Sequence, residues 1–161
     1  MCVSLKNIPP LLAMEKNTLA SGFAANFSSD VIERNKQLIF VCCESLTGFT
    51  RLRLLKDQTA ESLRLAVLST TLDIISEEGC TVRTDNHRSF VSLQNEAKSK
   101  GSQLNQYNIS IETGRQANKN KNSLVERTNR EVHKEILKTF PGKNVLSKID
   151  LCILERQTIQ G

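Results

Sequence analysis

Apolar and polar residues follow one another in short segments that predict strands first and helices later. Residues 23–30 run from apolar to acidic and predict a first strand ending near Asp30. Residues 38–43 (LIFVCC) are continuously apolar, which is typical of a strand covered on both faces. Residues 50–54 alternate, so one face of that strand should be wet. Three strands in close succession predict an antiparallel meander.

Helical periodicity begins at residue 59 and then alternates with shorter strands. Leucine, isoleucine and valine recur at helical spacing over residues 59–76, and Gly79 ends this helix. This order of elements predicts an α/β fold, with a five-stranded mixed sheet flanked by helices on both faces. The later elements are predicted as a strand at 80–84, a helix at 91–100, a loop at 102–108, a strand at 108–112, and helices at 123–139 and 147–157.

The first 22 residues differ from the rest of the chain. They show no clear period, and Pro9-Pro10 argues against a helix through that point. We therefore expect residues 1–22 to be a poorly structured leader or remnant, and residues 23–161 to form the domain. The segment is also a poor signal peptide.

Composition narrows the class of protein. With 39% hydrophobic and 24% charged residues, the 161-residue chain is suited to a packed domain and is not disordered by composition. The apolar run at 38–43 is too short to span a bilayer, so no membrane contact is expected. The net charge of +5 favours a polyanionic partner, although ordinary basic proteins carry similar charge.

Five cysteines are present, an odd number, and no pair has the two-residue gap of a zinc knuckle. Two of them, Cys42 and Cys43, are neighbours inside an apolar strand. Reduced, buried cysteines are typical of intracellular proteins. We expect a nuclear or other intracellular protein that is not secreted.

Three carboxylates fall on elements that such a sheet can bring together. Asp85 follows the strand at 80–84, and α/β folds place their chemistry at this end of a strand. If the first strand is central in the sheet, Asp30 can lie beside Asp85. Glu126 opens the helix at 123–139, at the edge of its apolar stripe. Singly, Asp85 fits a turn and Glu126 fits a helix start; the combination predicts a shared site.

Converging carboxylates repel one another unless a cation neutralises them. Magnesium prefers a few carboxylates together with substrate phosphate oxygens. Two such ions about 3.5–4 Å apart serve in-line displacement at phosphorus. The basic residues near Glu126 would then contact DNA phosphates. These are Lys119, Lys121, Arg127 and Arg130.

Two segments carry a resemblance to a known family. Residues 82–86 (VRTDN) with Phe90, and residues 122–131 (NSLVERTNRE), resemble the catalytic core of retroviral and retrotransposon integrases, which are ribonuclease-H-like polynucleotidyl transferases. Asp30 before the apolar strand at 38–43 fits the same pattern. The resemblance covers residues 23–140, and the order of its segments along the chain is most similar to that of integrases of long-terminal-repeat retrotransposons.

The resemblance implies a ribonuclease-H-like fold and a function in DNA integration. Asp30, Asp85 and Glu126 would form an acidic triad that binds two Mg²⁺ or Mn²⁺ ions. The triad would catalyse 3′-end processing and strand transfer of element DNA into target DNA. Asn86 and Asn129 would be supporting polar residues.

Two other interpretations stay open. His87 and Arg88 stand where the family usually has a small residue, so the chain could be an inactive or truncated core that binds nucleic acid or pairs with a second copy. It could also be a ribonuclease H, which would need a carboxylate on its first long helix. That helix offers Glu61 and Asp73, neither of them well placed.

Overall fold

The computed structural model describes residues 22–114 and 123–160 as a mixed α/β domain. The predicted five-stranded sheet with helices on both faces is confirmed. In chain order the elements are β1 (Asn26–Arg34), β2 (Gln37–Glu44), β3 (Thr50–Leu55), α1 (Ala60–Thr71), β4 (Cys80–Thr84), α2 (Arg88–Ala97), α3 (Gln103–Gln106), β5 (Ile109–Thr113), α4 (Ser123–Thr139) and α5 (Lys148–Gln160).

Strand β1 lies at the centre of the sheet, whose order is β3-β2-β1-β4-β5. The pairs β1–β2 and β2–β3 are antiparallel, as the predicted meander requires. The pairs β1–β4 and β4–β5 are parallel. Because β1 and β4 run in the same direction side by side, residues that follow their paired segment point to the same edge of the sheet.

Two apolar clusters pack on opposite faces of the sheet. The first joins side chains of α1, α2 and α3, including Leu63, Phe90 and Leu104, to strand residues such as Phe27 and Val82. The second joins α4 and α5 to β1, β2 and β3. Its members are Ile32, Ile39, Val41, Leu52, Val125, Val132, Ile136, Leu146, Leu151 and Leu154. Strand β2 contributes to both clusters, so its predicted burial on both faces is confirmed.

The first strand lies further along the chain than predicted: it begins at Asn26 instead of residue 23 and continues to Arg34 instead of ending near Asp30. Val31 and Ile32 pair with Phe40 and Ile39 on β2, so the ladder extends past the acidic residue. The turn is confined to Asn35 and Lys36, both with positive φ, the backbone form that closes a two-residue hairpin. Asp30 is therefore held in the middle of the central strand.

Several helix boundaries also differ from the prediction. Helix α1 ends at Thr71, where the amide of Ile74 donates to the Thr71 carbonyl three residues before it and forms a tighter turn. Helix α2 begins earlier, at Arg88, because the His87 side chain caps it by accepting from Ser89 N. A short helix, α3, lies within the predicted loop, and α5 extends to Gln160.

The leader predicted at residues 1–22 lies outside the described residues except for Gly22. Within residues 22–114 and 123–160, no helix is both long and apolar enough to cross a membrane.

A fully buried carboxylate, Glu44, organises the loop that follows β2. It accepts hydrogen bonds from the amides of Leu46 and Thr47 and from the Thr47 hydroxyl, the last at 2.6 Å. It also accepts from the amide of Ala24, so it ties the start of the described chain to the end of β2. The sequence alone does not predict this role, since a glutamate after an apolar run resembles an ordinary surface residue.

We expect Glu44→Gln to destabilise the fold. The amide presents a donor to backbone N–H groups that need an acceptor, and each hydrogen bond to a charged group contributes about 1.5–3 kcal/mol. The free energy of unfolding should therefore fall by about 3 kcal/mol in chemical denaturation. Glu33→Gln, at an exposed position of β1, is the matched control and should change it by less than about 0.5 kcal/mol. Equal effects of the two substitutions would contradict this role.

Candidate functional site

Asp30 is the most constrained of the three predicted acids. It is half-buried on β1, opposite Val41 of β2. Its Oδ1 accepts a hydrogen bond from Val31 N at 2.8 Å, and its Oδ2 accepts one from Asn129 Nδ2 at 3.0 Å. Both carboxylate oxygens therefore have a fixed partner, one on the strand itself and one on helix α4.

Asp85 is the first residue after β4 and is exposed. Its Oδ1 accepts from His87 N at 2.9 Å, which forms a local turn. His87 in turn caps α2. The turn-forming role that the sequence allowed for Asp85 is thus real, and it orients the carboxylate at the carboxyl edge of the sheet. His87, which stands where the family usually has a small residue, therefore has a structural role at the start of α2.

Glu126 lies in the first turn of α4 and is exposed. The buried stripe of this helix contains Val125, Val132 and Ile136. Asn129 lies half-buried beside them and reaches across to Asp30. Packing of the stripe on the sheet therefore fixes the side of the helix that faces β1, and Glu126 lies at the edge of that side, as the periodicity predicted.

Asp30 lies within electrostatic range of both other acids. Burial raises the pKa of Asp30 above its usual 3.8, and the negative charges of Asp85 and Glu126 raise it further. Hydrogen bonds from Val31 N and Asn129 lower the pKa without cancelling these effects. When no cation is present, the negative charges of Asp85 and Glu126 thus disfavour the ionised form of Asp30.

The side chain of Asn129 carries a buried oxygen next to Asp30. Its Oδ1 is buried and has no hydrogen-bond partner within the described part of the chain. A buried acceptor without a donor is costly. Beside Asp30, this oxygen is suited to accept from water that hydrates a cation.

The donor types fit a hard divalent cation, since carboxylate and amide oxygens are its preferred ligands. Among the described residues, however, no group of three His, Cys, Asp or Glu side chains is already close enough to hold a metal ion. Asp30 is anchored, whereas Asp85 and Glu126 are exposed side chains at the ends of their elements.

The remaining predicted site residues separate into two groups. Asn86, Arg127 and Arg130 are exposed near the acids, the first after Asp85 and the others on α4 beside Glu126. Lys119 and Lys121 lie outside the described residues. The roles of all five stay predictions.

Comparison with known proteins bears on the fold. No known family model matches the sequence, and no curated protein matches it. Among solved structures, the chain is similar to the catalytic core domain of BIV integrase, with a TM-score of 0.59 and 19% sequence identity. The match covers 82% of this chain and 81% of that one. The predicted ribonuclease-H-like fold is thereby confirmed.

We expect Asp30→Asn to stabilise the metal-free protein at neutral pH. A carboxyl whose pKa is raised by folding contributes stability below its unfolded pKa, near 3.8, and loses it as the pH rises through the folded pKa. Asparagine removes this penalty, so its melting temperature should exceed that of the wild type near pH 7, with the difference shrinking toward pH 4. Thermal melts in a chelating buffer measure this.

The same melts repeated with Mn²⁺ test the site itself. Bound ions stabilise the folded state by mass action. Mn²⁺ should raise the melting temperature of the wild type and raise that of Asp30→Asn much less. Two results would contradict a metal site shared by these acids. One is a metal-free Asp30→Asn protein that melts below the wild type at pH 7, and the other is an equal rise in melting temperature of the two proteins with Mn²⁺.

Proposed function

We propose that this protein is a metal-dependent polynucleotidyl transferase that acts on the DNA of a transposable element, carrying out 3′-end processing and strand transfer into target DNA. One observation carries the proposal. Asp30 lies within electrostatic reach of both Asp85 and Glu126, on a fold similar to an integrase catalytic core. These acids come from β1, the end of β4 and the start of α4, an arrangement that supports a shared site.

The three acids would act together, with Asp30 in a different role from Asp85 and Glu126. Together they would hold Mg²⁺ or Mn²⁺, which when bound stabilises the charge that develops at the reacting phosphodiester. Asp30 is the rigid member, because the central strand and Asn129 fix it. Asp85 and Glu126 are exposed and would approach the substrate. Asn129 would keep Asp30 oriented, and Asn86 would support Asp85.

DNA contacts would come from the basic residues next to Glu126. Arg127 and Arg130 are exposed on α4, and Lys119 and Lys121 precede it in the sequence. Such cations bind phosphates and position the backbone without reading its sequence. The binding should therefore weaken steeply as salt concentration rises.

A second candidate function is a nucleic-acid-binding module without catalysis. It is favoured by the lack, in the described residues, of a group of acids already close enough to hold a metal ion. Salt-dependent DNA binding that is indifferent to Mg²⁺, together with no DNA joining, would support it. The ribonuclease H interpretation is weaker, since Asp73 of the first helix region forms an ion pair with Arg51 of β3 at 2.7 Å.

We expect Asp85→Asn and Glu126→Gln to abolish Mg²⁺-dependent DNA joining. Each substitution removes one negative charge from the site and keeps the shape of the side chain. A branched DNA substrate, whose strands are rejoined by the reverse of strand transfer, gives a direct readout. Losses of at least about 10²-fold are expected for groups of this kind.

Matched controls separate catalysis from a general change in charge. The controls are Asp73→Asn and Glu131→Gln. Asp73 forms the ion pair with Arg51, and Glu131 is exposed further along α4. Both should retain the activity. Joining that survives in Asp85→Asn, or that is lost equally in the controls, would show that the triad is assigned wrongly. Cleavage of an RNA–DNA hybrid in place of joining would favour ribonuclease H.

A further inference from the structure

One charged residue of the VRTDN segment has no part in the site described above. Arg83 lies on β4, two residues before Asp85, and pairs with Ser28 of β1 and Glu112 of β5. Side chains of paired residues on neighbouring strands project to the same face of the sheet. Ser28 is two residues before Asp30, whose side chain contacts Asn129 on α4. Arg83 and Asp30 therefore share the face of the sheet that α4 partly covers.

This face is apolar on one half of the sheet and polar on the other. The apolar cluster beneath α4 and α5 takes its strand residues from β1, β2 and β3, and none from β4 or β5. On β4 and β5 the side chains that share the face of Arg83 are polar, and we call them the polar face. Its members are Thr81, Arg83, Ser110 and Glu112.

The guanidinium of Arg83 is only partly satisfied within the described chain. Its Nη1 donates to Asn26 Oδ1 at 3.3 Å, and its Nε lies 3.4 Å from Glu112 Oε1. The latter contact lacks hydrogen-bond geometry, so the buried Nε has no hydrogen-bond partner there. An arginine held by two long contacts retains donors for another acceptor.

The position of Arg83 beside the acidic site indicates which chemical group its remaining donors would bind. Two residues along a strand advance about 6.6–6.8 Å, so Arg83 lies about that far from Asp85 along the sheet. Phosphates of one DNA strand recur about every 3.4 Å of helix axis. The planar guanidinium matches a phosphate group with two parallel donors. Continuity with the acidic site thus favours a nucleic-acid backbone over a protein partner on the polar face.

We propose that Arg83 binds a backbone phosphate one or two nucleotides from the reacting phosphodiester, and that Glu112 is the counter-charge of its guanidinium when DNA is absent. The inference rests on the proposed function, because it takes Asp30 and Asp85 as the reacting centre. It adds the polar face of β4 and β5 to the DNA-binding surface and makes Arg83 a positioning residue.

Substitutions that remove the positive charge of Arg83 or the negative charge of Glu112 test whether Arg83 binds a DNA phosphate. Arg83→Gln should weaken binding of a labelled DNA duplex by about tenfold at low salt, the size of one charge-assisted hydrogen bond, and lower the salt slope by about one. Glu112→Gln should tighten binding, because it releases the guanidinium and removes a negative charge. Fluorescence anisotropy of the full chain in EDTA measures both effects without any need for catalysis.

A second ion pair in the same chain provides a matched control. Arg64 of α1 and Glu96 of α2 lie 3.1 Å apart, with similar partial exposure, on helices that cover the opposite face. Arg64→Gln and Glu96→Gln make the same changes in charge and should leave the affinity and the salt slope unchanged. Arg83→Lys should keep the slope and part of the affinity.

The outcomes are distinct. If Arg83→Gln and Glu112→Gln both lower the melting temperature and neither changes binding relative to the controls, the pair is structural and this inference is overturned alone. If Arg83→Gln does not fold, tighter binding by Glu112→Gln still supports the inference, and unchanged or weaker binding overturns it. If the wild-type chain shows no salt-dependent DNA binding, both the inference and the proposed function fail.

Discussion

The hydrogen bond from Asn129 Nδ2 to Asp30 Oδ2 links helix α4 to the central strand of the sheet across 99 positions of sequence. It is 3.0 Å long, and its acceptor is a carboxylate, which makes it stronger than a bond between neutral groups. It holds the start of α4, and with it Glu126, beside β1. The order of strands then places Asp85 on the neighbouring β4. Together with the apolar packing of α4 and the pairing of β1 with β4, this hydrogen bond brings Asp85 and Glu126 within electrostatic range of Asp30.

The constraint has an energetic consequence. Burial and two neighbouring negative charges all disfavour ionisation of Asp30, and only two hydrogen bonds favour it. A protein that retains such a group gives up stability at neutral pH unless a cation offsets the repulsion. The Oδ1 of Asn129, which has no hydrogen-bond partner among the described residues, lies in the same region. Strain of both kinds is expected where a fold prepares a binding site.

Local patterns in the sequence were sufficient for much of this arrangement. The apolar run of β2, the strand before Asp85 and the amphipathic period of α4 each have one simple explanation, and the structure agrees. The end of β1 was missed because pairing of Val31 and Ile32 with β2 outweighs the acidic residue before them. Glu44 was missed because one of its donors, Ala24, lies twenty positions away. The long contact between Arg83 and Glu112 likewise depends on the pairing of β4 with β5, which the periodicity of the sequence does not reveal.

The central claim is that Asp30 and Asp85 share a cation with Glu126 beside them. The most direct measurement is anomalous diffraction from crystals of the protein soaked in Mn²⁺. We predict a peak between the carboxylates of Asp30 and Asp85, with ligand distances of about 2.1 Å, the spacing of hard divalent ions to oxygen. Ordered Mn²⁺ elsewhere with none at Asp30, or a site that persists unchanged in Asp30→Asn, would contradict the account.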